Sequence, residues 1–239
     1  MRTVVVRLAA PLQAWGSSSR FNDRYTDLTP TKSGVVGMVS AALGITRDQP
    51  ELMRSVAQCR FAARADQPGV VGTDFQVAQA LDGHQKPTGV ALPLSNRYYL
   101  EDAVFVVALE YEDEQFATRV HDALLRPAFT TFLGRKSCLP CGEFVVGLFD
   151  ESATNVLTRL TWRASPHEQS RHGDTVSLNL FTDSPDGTLV SDEPQDFNTH
   201  YVRHAYRGVA RTVVTLPNPS FVPNINDAFF DTILSLGKV

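Results

Sequence analysis

The sequence predicts an α+β fold, because short stretches with strand character alternate with segments of helical periodicity. Arg2–Ala9 is rich in valine and short enough for a strand, whereas residues 113–125 repeat apolar side chains at the spacing of one helix face. Of the 239 residues, 43% are hydrophobic and 20% are charged, which is typical of a globular protein. Every apolar run falls short of the roughly 20 residues that cross a bilayer, so no membrane partner is expected.

The order of elements in the first 150 residues narrows the fold class. Strands are predicted at 2–9, 59–66, 98–111 and 144–149, and helices at 33–43, 48–58 and 113–125. Asp48-x-x-Glu51 resembles a capping box at the start of the second helix, and alternation gives strand 59–66 one basic side. Apart from that extra helix, the order is that of ferredoxin-like and RRM-like domains, whose sheet keeps one face free of helices.

The rest of the chain has a different pattern. Residues 151–239 lack a strong helical period and contain β-rich runs at 156–162, 175–181 and 201–216. We therefore expect an RRM-like domain over residues 1–150 and a small β-rich C-terminal region over 151–239. Residues 1–64 carry nine Lys or Arg against four acids, although the whole chain has a net charge of −4. A basic face on an acidic body suits a protein that binds a polyanion, although scattered solvated arginines would give the same count.

The stretch PTKSGVVGMVSAALG at 30–44 raises the question of a phosphate site. It lacks the glycines of a nucleotide-binding P-loop, and Pro30 removes a backbone donor where that loop needs one. Thr31 or Ser33 can instead cap a helix whose first N–H groups, with Lys32 beside them, bind one anion. An ordinary capped core helix is the simpler interpretation of this stretch alone.

Three cysteines are an odd number for a disulfide framework and favour the reducing cytoplasm. Cys138 and Cys141 form a C-x-x-C motif, but no second such pair accompanies it. Neither a zinc site nor a thioredoxin-type site is therefore expected, and no cofactor is predicted.

Five motifs taken in order carry a family resemblance: LAAPLQAWG, PTKSGVVGMVSAALG, DFQV, YYLEDAVFVVAL and RPAFTTFLGRKSCLP. Together they resemble the CRISPR-associated subunit that caps the 5′ handle of the guide RNA (crRNA) in type I-E Cascade complexes. The resemblance covers the first 150 residues well and the last 90 loosely. It implies a non-catalytic subunit that binds crRNA and the backbone and large subunits, and that meets target DNA through the complex.

The resemblance also implies which residues contact RNA. A β thumb inserted at about residues 71–97 would reach over the guide, with Lys86 and Arg97 as its basic positions. The family's glycine-rich loop would place four residues beside the RNA: Gly134, Arg135, Lys136 and Ser137. The usual Asp-aromatic-His start of the thumb appears here as Asp74-Phe75-Gln76, so a contact that needs an imidazole there is in doubt.

Single-stranded RNA needs cations for its phosphates and flat rings for its unstacked bases. The predicted loop at 11–29 offers Gln13 for base edges, Trp15 for stacking, and Arg20 and Arg24 for phosphates. Trp15 is as readily a core residue, and the two arginines are as readily solvated. Lys32 and Ser33 would hold a phosphate in one cleft shared with Arg135 and Lys136.

The competing function is a metal-independent endoribonuclease, because a related subunit of another type I subtype cuts precursor RNA. Such cleavage needs a general base and acid, usually histidine, near a 2′-OH. The six histidines form no defensible group with Tyr and Lys in the sequence. His200 and His204 share one face of a predicted strand, but a two-His metal pair would need a third ligand.

Overall fold

A computed structural model describes residues 1–16, 22–197 and 202–222 of the chain. Its helices are α1 (Lys32–Ala42), α2 (Pro50–Ala57), α3 (Glu114–Leu125), α4 (Ala153–Arg159) and α5 (Pro166–Ser170). Its strands are β1 (Arg2–Ala9), β2 (Leu12–Gln13), β3 (Asp23–Arg24), β4 (Arg60–Gln67), β5 (Val70–Gln76), β6 (Gln79–Leu81), β7 (Pro87–Ala91), β8 (Ser95–Glu101), β9 (Val104–Tyr111), β10 (Val145–Phe149), β11 (Thr175–Phe197) and β12 (Val202–Pro217). The fold is thus α+β, as the sequence predicts.

The central sheet has six strands in the order β10-β1-β9-β4-β11-β12, and all five neighbouring pairs are antiparallel. Because successive strand residues point to opposite faces, β1 contributes to two hydrophobic clusters. Val4, Val6 and Leu8 pack in the larger cluster with α1, α2 and α3, whereas Val5 packs in a smaller one with α4. β9 is buried over its whole length, as expected of a strand covered on both faces.

α4 overturns two sequence predictions. Its Val156 and Leu157 pack on Val5 and Val106, so the expectation that one sheet face stays free of helices is wrong. The predicted β-rich run at 156–162 is also wrong, because its first four residues lie in α4. Ser152 starts this helix by accepting a 3.3 Å hydrogen bond from the N–H of Asn155, a capping signal that apolar periodicity does not register.

The prediction that β4 has one basic side is wrong at Arg64. Its side chain is fully buried and forms a bidentate pair with Asp66 at 2.6 and 2.8 Å. The remaining guanidinium donors bind the carbonyls of Leu157, Leu160 and Thr161 at 2.6 to 3.0 Å. Arg64 therefore closes the C-terminal end of α4, where a cation and its donors are favourable.

Two boundaries also differ from prediction. The single strand expected at 98–111 is two strands, β8 and β9, separated at Asp102 with a φ of 54°. The capping box expected at Asp48 does not form, because α2 begins after Gln49 with no side-chain cap and Asp48 accepts a bond from the Thr46 hydroxyl instead. A capping motif in sequence competes with such local turns.

The segment between β4 and β9 is a β insertion. β5 and β8 pair antiparallel, with Val70 opposite Glu101 at one end and Gln76 opposite Ser95 at the other. β6 and β7 continue the insertion as a hairpin. β2 and β3 also join β8, which gives a small second sheet beside the N-terminus of α1. This second sheet brings the insertion next to the loop after β2.

The C-terminal strands extend the central sheet. β11 pairs with β4 over four residues and β12 pairs with β11 along most of its length, so residues on both sides of the predicted boundary at 150 share one sheet. The division into two regions stays a prediction. Within the described ranges, no helix is both long and apolar enough to span a membrane.

Candidate nucleic-acid interface

Three arginines line an open pocket at the N-terminal end of α1. They are Arg24 of β3, Arg97 of β8 and Arg135 of the loop after α3, and Ser33 of α1 lines the same space of about 450 Å³. No carboxylate lines this pocket, and none of the three arginines forms an ion pair with any residue that the structure describes. We call it the arginine pocket. Its charge suits an anion, because guanidinium donors match the oxygens of a phosphate.

Strand register places two of these arginines together. β3 runs parallel to β8 and pairs Arg24 with Arg97 and Asp23 with Asn96. The Asn96 side-chain amide donates a 3.2 Å hydrogen bond to Asp23, which secures this short pairing. Because paired residues of neighbouring strands point to the same face, Arg24 and Arg97 lie on one side of the small sheet.

Arg135 completes the pocket from the other side. Its guanidinium donates to the carbonyls of Tyr98 at 3.1 Å and Arg24 at 2.8 Å, and it lies 4.4 Å from the centre of the Tyr99 ring. These contacts fix the planar group in orientation. A guanidinium has five N–H donors, so three remain for a ligand among the contacts that the structure describes.

Gly134 has a structural reason to be glycine. Its φ is 90°, and a Cβ built there would lie 1.6 Å from the carbonyl oxygen of Ala14. The N–H of Ala14 also donates to the carbonyl of Leu133 at 3.1 Å, so the loop lies directly on the segment after β1. The predicted close approach at Gly134 is therefore made by this protein's own backbone.

An aromatic pair lies at the same place. The rings of Tyr25 and Tyr98 stack with centroids 4.8 Å apart, and Tyr25 is 49% exposed. A half-exposed ring beside cations is the kind of surface on which an unstacked base binds. The sequence analysis did not select Tyr25, although its position directly after Arg24 was an available signal.

The roles predicted for Gln13 and Trp15 are corrected by their burial. The Gln13 amide is fully buried and donates to the carbonyls of Leu8 at 3.1 Å and Ala103 at 2.6 Å. Trp15 is 1% exposed, and its indole N–H donates to the Gln13 side-chain oxygen at 3.0 Å. Neither side chain can reach a base edge or a base face. The core interpretation of Trp15 is the right one.

The start of α1 is confirmed, but Lys32 is not where it was expected. Thr31 caps the helix by accepting from the N–H of Gly34 at 3.3 Å. Lys32 is 5% exposed, and its ammonium pairs with Glu193 at 2.8 Å and Asp183 at 3.6 Å. The cleft predicted to combine Lys32 with Arg135 does not exist, because Lys32 lies in a different pocket, the one that Glu193 also lines.

A second cation and a third carboxylate complete this buried ion cluster, which consists of Lys32, Asp183, Asp192, Glu193 and Arg207. Arg207 binds Asp192 at 2.6 and 2.9 Å and also contacts Asp183 at 2.5 Å. Asp192 is 1% exposed and accepts the N–H of Lys32 at 2.8 Å. A carboxylate of β11 thus occupies the helix-start position that the sequence assigned to a bound phosphate.

The cluster shifts two pKa values. Burial lowers the pKa of Lys32, but Cys59, Glu193 and Asp183 around it raise that pKa, and the net result lies above the usual 10.5. Burial raises the pKa of the Cys59 thiol to about 12, although Lys32 opposes the shift. Lys32 is therefore charged and Cys59 is a neutral thiol at neutral pH.

Three other predicted residues fall outside the arginine pocket, and the position of a fourth is not described. Lys136 and Ser137 are exposed after Arg135 but do not line the pocket, and Lys86 is exposed in the β6–β7 hairpin. Arg20 lies outside the described residues. RNA contact by these four residues stays a prediction.

The histidines considered as catalytic candidates contact different residues in the described chain. His172 packs edge-on against Trp162, His121 contacts Asp122 at 3.1 Å, and the predicted partner of His204, His200, lies outside the described ranges. No group of three metal-binding side chains is present among the residues described. Cys138 is buried, Cys141 is exposed, and both are free thiols.

Comparisons with known proteins agree with this geometry. A family model described as "CRISPR-associated protein (Cas_Cas5)" matches residues 3–210, so the chain belongs to that family. The Cascade subunit CasD of Escherichia coli K12 is 33% identical over 147 residues, which are 56% of this chain and 66% of that protein. The alignment thus spans just under two thirds of this relative.

Two solved structures share the fold. A "Crystal structure of Cas protein" matches with a TM-score of 0.69 at 33% identity, over 92% of this chain and 97% of that one. A chain of a "CRISPR RNA-guided surveillance complex" matches with a TM-score of 0.74 at 27% identity, over 92% and 93%. These findings confirm the resemblance to a type I-E Cascade subunit that the motifs indicated.

Proposed function

We propose that this chain is the subunit of a type I-E Cascade complex that binds the 5′ handle of crRNA. The observation that carries the proposal is the arginine pocket, whose guanidinium groups have no carboxylate partner among the residues that the structure describes. Arg24, Arg97 and Arg135 contact backbone phosphates, and the half-exposed Tyr25 ring offers a surface for one base.

The strand order supports an RRM-like, ferredoxin-like description. In the series β1, β4, β9 and β10, the fourth strand lies beside the first and the third lies between the first and second. Two helices, α1 and α3, connect strands in the βαββαβ order of that fold. We keep the division into an RRM-like domain (1–150) and a C-terminal region (151–239), and the β insertion acts as the thumb.

The chain works in the cytoplasm as part of the assembly. Its partners are crRNA and the backbone and large subunits, and target DNA is met through the complex. Support comes from the match to a subunit named for the Cascade system and from the match within a surveillance complex. Its role is structural, and it does not cleave RNA.

Binding of handle RNA by the full chain tests the proposal. We expect Arg135→Ala to weaken binding of a fluorescent single-stranded RNA with the handle sequence about tenfold, and to reduce the slope of log affinity against log salt by about one. Fluorescence anisotropy at several salt concentrations measures both quantities.

Arg119→Ala is the matched control, because Arg119 also lies over an aromatic ring, 5.8 Å from the centre of Phe116, but outside the pocket. It should leave affinity and slope unchanged. An Arg135→Ala variant that binds as the native chain does would refute the proposed site. Incubation of the same RNA with the protein in EDTA checks the structural role, since specific cleavage at the handle boundary would refute it.

A further inference from the structure

A further cavity, of about 390 Å³, lies beside the start of α1, where Thr31 is one of its lining residues. Its floor is sheet surface, because Ala63, Phe181 and Arg211 lie side by side on β4, β11 and β12. Val190, Val209 and Leu28, the last in the segment before α1, form its apolar walls. We call this space the Phe181 cavity.

The Phe181 cavity adjoins the arginine pocket. Thr31, the residue that caps α1, lines both spaces, so the two spaces adjoin at the start of the helix. The segment before it is held in place by the N–H of Asp27, which donates to the Trp15 carbonyl at 2.9 Å. A ligand that enters the arginine pocket therefore needs little length to reach the Phe181 cavity.

The charge at the rim indicates which ligand fits. Arg207 also lines the cavity, but Asp183 and Asp192 neutralise it within the ion cluster. Arg211 is exposed, donates to the Asn179 side chain at 3.0 Å, and has no ion pair among the described residues. Asp27 and Asp192 line the cavity as well, and Asp192 is the partner of Arg207. Among the described lining residues, the cavity thus combines apolar walls, a half-buried aromatic ring, two acids and the exposed cation of Arg211.

We propose that the Phe181 cavity binds one unstacked nucleobase of the same RNA strand whose phosphates occupy the arginine pocket. This inference rests on the proposed function. A flat heterocycle fills apolar walls beside an aromatic ring, while Arg211 meets its polar edge or the following phosphate. An aliphatic side chain from a partner protein would fill the walls but offer no acceptor to the remaining donors of Arg211.

The test has two parts: a large side chain fills the cavity in the protein, and single bases are removed from the RNA, one position at a time. Val209→Trp, from the half-buried wall, should weaken binding of the fluorescent handle RNA to the full chain about tenfold, the usual order of one base contact. A series of the same RNA with a single abasic nucleotide at each position should contain one member that the native chain binds about tenfold more weakly. Val209→Trp should bind that member and the intact RNA equally.

Val213→Trp is the matched control, since Val213 lies on the same strand and face, four residues from Val209, and is 65% exposed outside the cavity. It should bind RNA as the native chain does. Thermal unfolding shows whether the Val209→Trp variant is folded. If that variant is not folded, Val190→Trp, which fills the cavity from β11, replaces it in the test.

Three results overturn the inference. Cavity-filling variants that are folded and bind intact RNA normally exclude a base in this space, and so does an abasic series with no penalised position. Normal RNA binding combined with failure to co-assemble with the other Cascade subunits would assign the cavity to a protein side chain. If Arg135→Ala weakens binding but Val209→Trp does not, only this inference fails and the proposed function stands.

Discussion

Two groups of basic side chains flank the start of α1, and they differ in what surrounds them. Lys32 and Arg207 are buried among Asp183, Asp192 and Glu193, so their charges are neutralised inside the protein. The arginine pocket opens to solvent, and no carboxylate is found among its described lining residues. The comparison shows that a basic residue near a helix start can bind a ligand only if it does not already form an ion pair with an acid of the same protein.

The largest expected effect comes from breaking the buried ion cluster. Asp192→Ala leaves Arg207 without its bidentate partner and the Lys32 N–H without an acceptor. We expect the free energy of unfolding to fall by about 3 kcal/mol, because the buried Arg207 then keeps only Asp183 as an ion-pair partner among the described residues, and a buried charge with an incomplete set of partners is costly. Urea denaturation measures this change.

Asp150→Ala is the control, since Asp150 also binds an arginine, Arg2, but its side chain is 75% exposed. It should cost less than about 1 kcal/mol. Equal losses from the two variants would mean that burial does not distinguish the two acids.

An effect of intermediate size should distinguish the two basic groups by the salt dependence of RNA binding. Arg97→Ala should reduce the salt slope of RNA binding by about one and leave stability nearly unchanged, because Arg97 has no ion pair to lose among the described contacts. Lys32→Met should do the reverse, lowering stability and leaving the slope intact. A reduced slope for folded Lys32→Met would show that the buried lysine reaches RNA after all.

The smallest effect is a dependence of stability on pH. The pKa of Lys32 is raised above 10.5 in the folded protein, so its contribution to stability is complete below 10.5 and is lost as pH rises through the higher folded value. The native chain should therefore lose more stability than Lys32→Met between pH values on either side of 10.5. Lys86→Met, which removes an exposed lysine, should follow the native curve, and a Lys32→Met curve identical to it would contradict the prediction.

Much of the fold was predictable from periodicity and caps. β1, α1 and α3 lie within one residue of their predicted ends, because each has a regular apolar pattern. The failures share a cause. α4 depends on tertiary packing, and the break at Asp102 depends on the backbone conformation of that one residue. Neither produces a change in hydrophobic periodicity that can be detected in the sequence.

The site was only partly predictable for a related reason. Basic residues were found by type, and Arg24, Arg97 and Arg135 do converge. Lys32 has the same local signal, but its acidic partners come from β11, about 150 residues later in the chain. Gln13 and Trp15 look polar or aromatic enough for RNA, yet they bind each other within the core.

The helix that closes the second face of the central sheet constrains the path of any bound strand. With part of that surface covered by α4, the strand of the proposed function would pass along the beginning of α1, where the arginine pocket and the Phe181 cavity share Thr31.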